Sequence, residues 1–217
     1  MSSTRIPKAR LAPRKLPQQA RSEATVEAVL QAAAQVFERH GYAAGTTNRI
    51  AARAGVSIGS LYQYFPGKDA ILLALARRHL AEGTALLQPQ LERLQAGCAL
   101  DEVLADVVKA MVALHASAPR LHRVLFEETP LPQTLRAELD ATEDALVEVV
   151  AHSLQRQPDT AEHHLVARMI VSAIEGLTHR LVLRPAGASP DAIAIEVTTM
   201  LRGYLRQRQR TLDSRNQ

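Results

Sequence analysis

An all-α fold is predicted for this chain, with a small three-helix head followed by a larger helical body. Three observations carry that expectation. No segment sustains the period-two alternation of a half-buried strand, whereas apolar residues recur every three or four positions along much of the chain. Alanine and leucine abound while aromatics make up only 3% and tryptophan is absent, a balance that favours helices over sheets. Prolines and glycines then cut these periodic stretches into helix-sized pieces, with no internal repeat. At 217 residues, 47% hydrophobic and 22% charged, the chain is long enough to bury a core in one or two domains.

The elements follow in order. The first helix is expected from Ser22 or Glu23 to His40, with Val26, Val29, Leu30, Ala33 and Phe37 on one face and Gly41 as its stop. Two short helices joined by a tight turn occupy Thr47 to Lys68. Ile50, Ala54 and Val56 face inward, Ala51 is small where the helices cross, and Leu61 and Tyr64 repeat the apolar pattern. Gly55 supplies the positive φ of the turn, and Ser57 caps the second helix. Pro66-Gly67 ends it. A long helix begins near Lys68 and is expected to break at Pro89. In the body, helices are expected from Asp101 to before Pro119, from Arg120 to Glu128, and from Gln133 to Gln157. Pro158-Asp159 marks a boundary, with Asp159 and Glu162 as a capping box. The next helix spans Thr160 to Arg184. Ser189-Pro190 then opens a last helix reaching about Arg210.

The short pair has the form of a helix-turn-helix, whose second helix lies in a DNA major groove. On that helix Ile58, Leu61 and Phe65 share a face expected to be buried. Ser57, Gly59, Ser60, Tyr62 and Gln63 share the other. Gly59 and Ser60 let the backbone approach the groove floor, and Gln63 can pair bidentately with adenine or bind other edges less specifically. Tyr62 and Tyr64 carry hydroxyls suited to phosphates, although Tyr64 equally suits the core. Thr46, Thr47 and Lys68 sit at helix starts, where hydroxyls, amides or an ammonium can take a phosphate; for the threonines and Ser57, capping alone is the simpler role. The full set expected at DNA is Thr46, Thr47, Ser57, Ile58, Gly59, Ser60, Tyr62, Gln63, Tyr64 and Lys68.

Within this stretch, Gly41-Tyr42, Thr46-Thr47, Ile50-Ala51, Ala54-Gly55-Val56-Ser57, Gly59-Ser60-Leu61-Tyr62, Tyr64-Phe65 and Lys68 resemble the N-terminal domain of the TetR/AcrR family of bacterial transcriptional regulators. The resemblance is dense from Val26 to Leu75. Its specificity comes from the Tyr-x-Tyr-Phe-x-x-Lys run that follows the helix-turn-helix. Elsewhere the likeness rests on length and helical layout. Charge and helix boundaries divide the chain into a basic arm (1–21), a helix-turn-helix domain (22–67), a helical body (68–210) and a tail (211–217), and the resemblance implies DNA binding for the second and ligand binding and dimerisation for the third. It also implies a homodimer on a palindromic operator, released when a small-molecule inducer binds the body and shifts the heads. The helix starting at Lys68 is the expected path of that signal.

Charge and the remaining residues bound the partners. The net charge of +4 is uneven: six cations and no acid lie in the first 22 residues, so the rest of the chain carries −2. That arm reads as a disordered tail that can also neutralise phosphates or enter a minor groove. Two faces are apolar on the helix from Thr160, one with Val166, Ile170, Ala173, Leu177 and Leu181, the other with Leu165, Met169, Ser172, Gly176, His179 and Leu183. Either both are intramolecular core or the last two helices form a four-helix bundle with a second copy, through Met169, Ser172, Gly176, Ile193, Val197, Leu201 and Tyr204. Two such heads would read half-sites one turn apart, ~34–36 Å. Ligand candidates are Met111, His115, Phe126, Thr142, Glu175 and His179, with Glu127 and Glu128 as further acids; each also has a plain structural role, and Glu175 can simply pair with His179.

Other classes find little support. There is no Gly-rich phosphate loop, nucleophile elbow or zinc-binding spacing; His163 and His164 are adjacent and diverge, so no enzyme, cofactor or metal site is expected. No apolar run approaches a membrane span, the first residues lack a signal core, and Cys98 is the single cysteine, all fitting a cytoplasmic location. The runner-up is a low-specificity, nucleoid-type DNA binder driven by the arm.

Overall fold

The computed structural model describes residues 20–154, 163–184 and 187–215, and all of their regular structure is helical. Residues 1–19 of the basic arm and the boundary at Pro158-Asp159, with its capping box, lie outside them. Two compact units are formed. The first runs to Ala81 and takes in Ala118–Arg136; the second comprises Glu82–Ser117 and the chain from Ala137.

In the first unit, α1 (Ala20–Ala44) is broken at Gly41, whose φ of 70° and ψ of 177° suit glycine alone. Helix α2 (Thr47–Ala54) starts at Thr46, whose hydroxyl accepts from the Arg49 amide at 3.3 Å. It ends in paired bonds from Gly55 N to Ala52 O and from Val56 N to Ala51 O, with Gly55 left-handed at φ 67°. This Schellman turn satisfies the last carbonyls and aims the chain into α3 (Ile58–Tyr64). Helix α4 (Lys68–Gln95) contributes buried Ile71, Leu72 and Leu75 to a core shared with Val29, Phe37, Ile50, Leu61 and Phe65. Helix α6 (Pro119–Phe126) packs on α1. Its Leu121 amide, one of the N-terminal donors that lack a helical partner, donates to the Glu38 carboxylate.

In the second unit, α5 (Leu100–Ser117), α7 (Gln133–Leu154) from Ala137 onward, α8 (His163–Leu183) and α9 (Pro190–Arg215) surround Val103, Leu104, Val108, Val147 and Ile170. Ser189 caps α9 by accepting from the Ala192 amide at 3.2 Å, as its Ser-Pro signal predicts. The helix continues to Arg215, past the expected Arg210.

One breaker does not break. Helix α4 continues through Pro89 to Gln95. Proline leaves the carbonyl four residues back without a donor, but Ala85 and Pro89 are both exposed, so water can serve that carbonyl.

Candidate nucleic-acid interface

Helix α3 is anchored through Leu61 and Phe65, which are fully buried, so its opposite side faces out. Gly59, Tyr62 and Gln63 are exposed there. Ser57 Oγ accepts from the Ser60 amide at 3.0 Å and lies 2.8 Å from Ser60 Oγ, which fixes the helix start while leaving Ser57 exposed. Thr47 Oγ1 and the Tyr62 hydroxyl are 3.1 Å apart, pairing two hydroxyls from different helices on this surface. Two expectations change. Ile58 is 38% exposed instead of buried: side chains lean toward a helix N-terminus, and at the first residue of α3 no preceding turn covers it. Tyr64 is buried, the packing alternative, which takes it from the phosphate-facing set.

Lys68 is also directed inward. Its ammonium donates to the Tyr42 carbonyl at 2.9 Å and stands 3.8 Å from the Tyr42 ring centroid, a cation–π contact. Sequence reasoning missed Arg49 and Arg53, two exposed cations one turn apart on α2; their i, i+4 spacing was the available signal. Arg49 lies in a wider basic cluster. Partial desolvation and then the Arg49, Arg39 and Arg120 guanidiniums hold the His40 pKa below its ordinary value.

The candidate ligand residues are not all brought together. Met111, His115 and His179 fall in the second unit, and the two imidazoles meet edge to face at 5.8 Å. His115 is buried, and Met111 packs against the unit's core. Thr142 donates to the Glu138 carbonyl at 2.8 Å, and Glu175 is exposed. Phe126 belongs to the first unit, beside His79 and His122. Glu127 pairs with Arg123 at 3.8 Å.

The interface candidates split as well. Met169 is 48% exposed and Ser172 is exposed, although Ser172 donates to Glu143 at 2.8 Å. A Cβ on Gly176 would meet nothing within 4 Å. Tyr204 is half-buried, its hydroxyl 3.9 Å from Met169 Sδ. Ile193, Val197 and Leu201, by contrast, are buried in the chain's own core. They form the stripe of α9 that covers α5 and α8, so they are unavailable to a partner. Besides Met169, the large apolar side chains left outside on α8 and α9 are Leu165 at 61%, Leu181 at 37%, Ile195 at 63% and Met200 at 50% exposure.

Residues 29–75 match the family model for bacterial regulatory proteins of the tetR family, and residues 99–205 match the tetracyclin repressor-like C-terminal domain. The chain belongs to the TetR family. A curated relative, the HTH-type transcriptional regulator BetI 2 of Chromohalobacter salexigens, is 29% identical over 192 residues, spanning 82% of this chain and 86% of the relative. Among solved structures, a TetR-like transcriptional regulator from Rhodococcus sp. RHA1 superposes with a TM-score of 0.64 at 24% identity, covering 88% of this chain and 99% of that one. The FadR regulator of Bacillus subtilis, solved with stearoyl-CoA, gives 0.64 at 22% identity, covering 81% and 96%. These are transcriptional regulators rather than enzymes, and no described helix here is long and apolar enough to cross a membrane.

In this TetR-family head the Gly41-Tyr42 pair has a role its motif did not disclose. The Tyr42 hydroxyl donates to Asp69 of α4, its ring stacks on Phe37, and its amide donates to the Glu128 carboxylate at 3.1 Å. Tyr42 thereby ties the end of α1 to the start of α4 and to the chain after α6. These groups edge a cavity of about 120 Å³ lined also by Leu72, Leu125 and Leu135; Met111, His115, Phe126, Thr142, Glu175 and His179 do not line it. Burial, then the Asp69 hydrogen bond, push the Tyr42 pKa far above the tyrosine range. Above about pH 10 the unfolded chain loses this proton while the folded one keeps it, so the unfolded state binds fewer protons and stability falls as pH rises. Denaturant unfolding of wild type and Tyr42→Phe between pH 8 and about 11 should show a shallower alkaline decline in the variant. Identical slopes would remove Tyr42 from the account.

Proposed function

We propose that this chain is a dimeric, ligand-responsive repressor that binds a palindromic operator through α2 and α3 and is released by a small-molecule inducer. The observation that carries the reading is the capped, outward face of α3, where Gly59, Tyr62 and Gln63 stand opposite the buried Leu61 and Phe65. A short helix so anchored can enter a major groove, with Gln63 reading a base edge and the Thr47–Tyr62 hydroxyl pair meeting a phosphate. Arg49 and Arg53 add charge for the backbone.

The outward stripe of α8 and α9 supports the dimer. On the ligand side, Met111, His115 and His179 of the second unit are the residues through which an inducer would act. Structural neighbours solved with stearoyl-CoA and with triclosan favour a largely apolar ligand. Induction is then a population shift, in which the ligand binds the non-operator state more tightly.

Selection of duplexes from a random pool at physiological salt tests the DNA reading. One palindromic motif is expected, bound ~10³-fold or more above random sequence. A pool that stays random would favour the arm-driven, low-specificity binder. With the motif in hand, Gln63→Ala should lose ~1–3 kcal/mol of discrimination at one base pair of each half-site in competition binding. An equal loss on every sequence would remove Gln63 from base readout.

A further inference from the structure

His79 of α4 and His122 of α6 are 43 positions apart in sequence, yet His122 Nδ1 and His79 Nε2 stand 3.0 Å from one another. No two histidines share a recognised metal-binding spacing in sequence, and the fold alone brings this pair together. The rings are held. Their centroids are 4.8 Å apart, and Phe126 packs on both, at 5.6 Å from His79 and 4.8 Å from His122. His122 is buried and His79 half-buried, so one side of the pair is fixed in the unit while the other is open to water.

We propose that His79 and His122 chelate a borderline divalent transition ion of the zinc, cobalt or nickel type. Two imidazole nitrogens each 2.0–2.1 Å from one ion are separated by roughly 2.9 Å at a right angle and roughly 3.4 Å at the tetrahedral angle. The observed spacing falls inside that interval, so the ion enters by tilting the two rings from their mutual hydrogen bond, without separating their nitrogens. Imidazole suits these ions and does not suit magnesium or calcium. Each ring binds through the nitrogen facing its neighbour and keeps its proton on the other nitrogen, so two neutral imidazoles need only a tautomer change. Water on the His79 side completes the coordination. The ion would brace α4 against α6 within the first unit, whether or not the protein regulates transcription.

The test is titration of untagged, chelator-washed, full-length protein with Co²⁺, followed by its visible d–d absorption and by calorimetry with Zn²⁺. One equivalent per chain is expected. His79→Gln or His122→Gln should each weaken binding ~10-fold or more, while His152→Gln, at an exposed position, should not. Since His122 is buried and its variant can misfold, the wild type supplies a second readout: Zn²⁺ should move the imidazole ¹⁵N signals of His79 and His122 selectively. No saturable cobalt binding, binding retained in both folded variants, or unmoved His79 and His122 signals would each overturn the site.

Discussion

Gly45→Ala is expected to destabilise the DNA-binding head by ~1–3 kcal/mol, although it adds only a methyl group. Gly45 lies between α1 and α2, where its amide donates to the Gly41 carbonyl at 3.1 Å. A Cβ there would stand 2.4 and 2.6 Å from two ring carbons of Phe37 and 2.9 Å from the Gly41 oxygen. A flexible neighbour would swing aside. Phe37 cannot, because it is fully buried and stacked on Tyr42, and the Gly41 oxygen is backbone. The strain must therefore open α2 away from α1, and α3 moves with α2. Denaturant unfolding measures the loss, and hydrogen exchange should place it in α2 and α3. Phe37→Leu costs stability on its own but frees space, so combining it with Gly45→Ala should cost less than the two changes added separately. Strict additivity, or an alanine variant as stable as the parent, would show that the contact is not tight in solution.

The same residues show where sequence alone stops. Ser57, Gly55 and Leu61 were legible because caps, Schellman turns and helical spacing are settled by residues a few positions away. Tyr42 was visible as a motif member but silent about its role, since its partners Asp69 and Glu128 lie 27 and 86 positions downstream. Gly45 passed unremarked for a similar reason: its constraint is the Phe37 ring above it, not an unusual backbone angle. Pro89 predicts a break because sequence carries the missing amide and not the side of the helix that loses it. Helix α9 carries apolar residues on more than one side. Ile193, Val197 and Leu201 are no more hydrophobic than Ile195 and Met200, and the positions of α5 and α8 decide which of them lie inside.

That correction sharpens the largest functional prediction, which rests on the dimer reading. If a second copy docks on α8 and α9, the contact uses Leu165, Met169, Ile195 and Met200 around the small residues Ser172 and Gly176. Gly176→Arg separates assembly from folding. Within one chain, a Cβ at 176 meets no atom within 4 Å, and replacing a mid-helix glycine favours the helix by up to about 1 kcal/mol. Between chains, the same side chain would hold two helices apart where glycine lets their backbones meet, and would bury an unpaired charge. Sedimentation velocity should therefore show a monomer with the helix content of the wild type, whose unfolding free energy equals or exceeds that of wild type diluted until it too is monomeric; at concentrations where the wild type is dimeric, the variant should unfold earlier by the association free energy it has lost. Operator binding should weaken sharply. Two equal half-sites share the specific free energy, so a monomer keeps roughly the square root of the ~10³- to 10⁷-fold discrimination typical of a full site. A Gly176→Arg protein that remains dimeric would move the interface elsewhere and leave the exposed stripe of α8 and α9 without a partner; a monomer that binds the full operator as tightly as wild type would instead separate recognition from assembly.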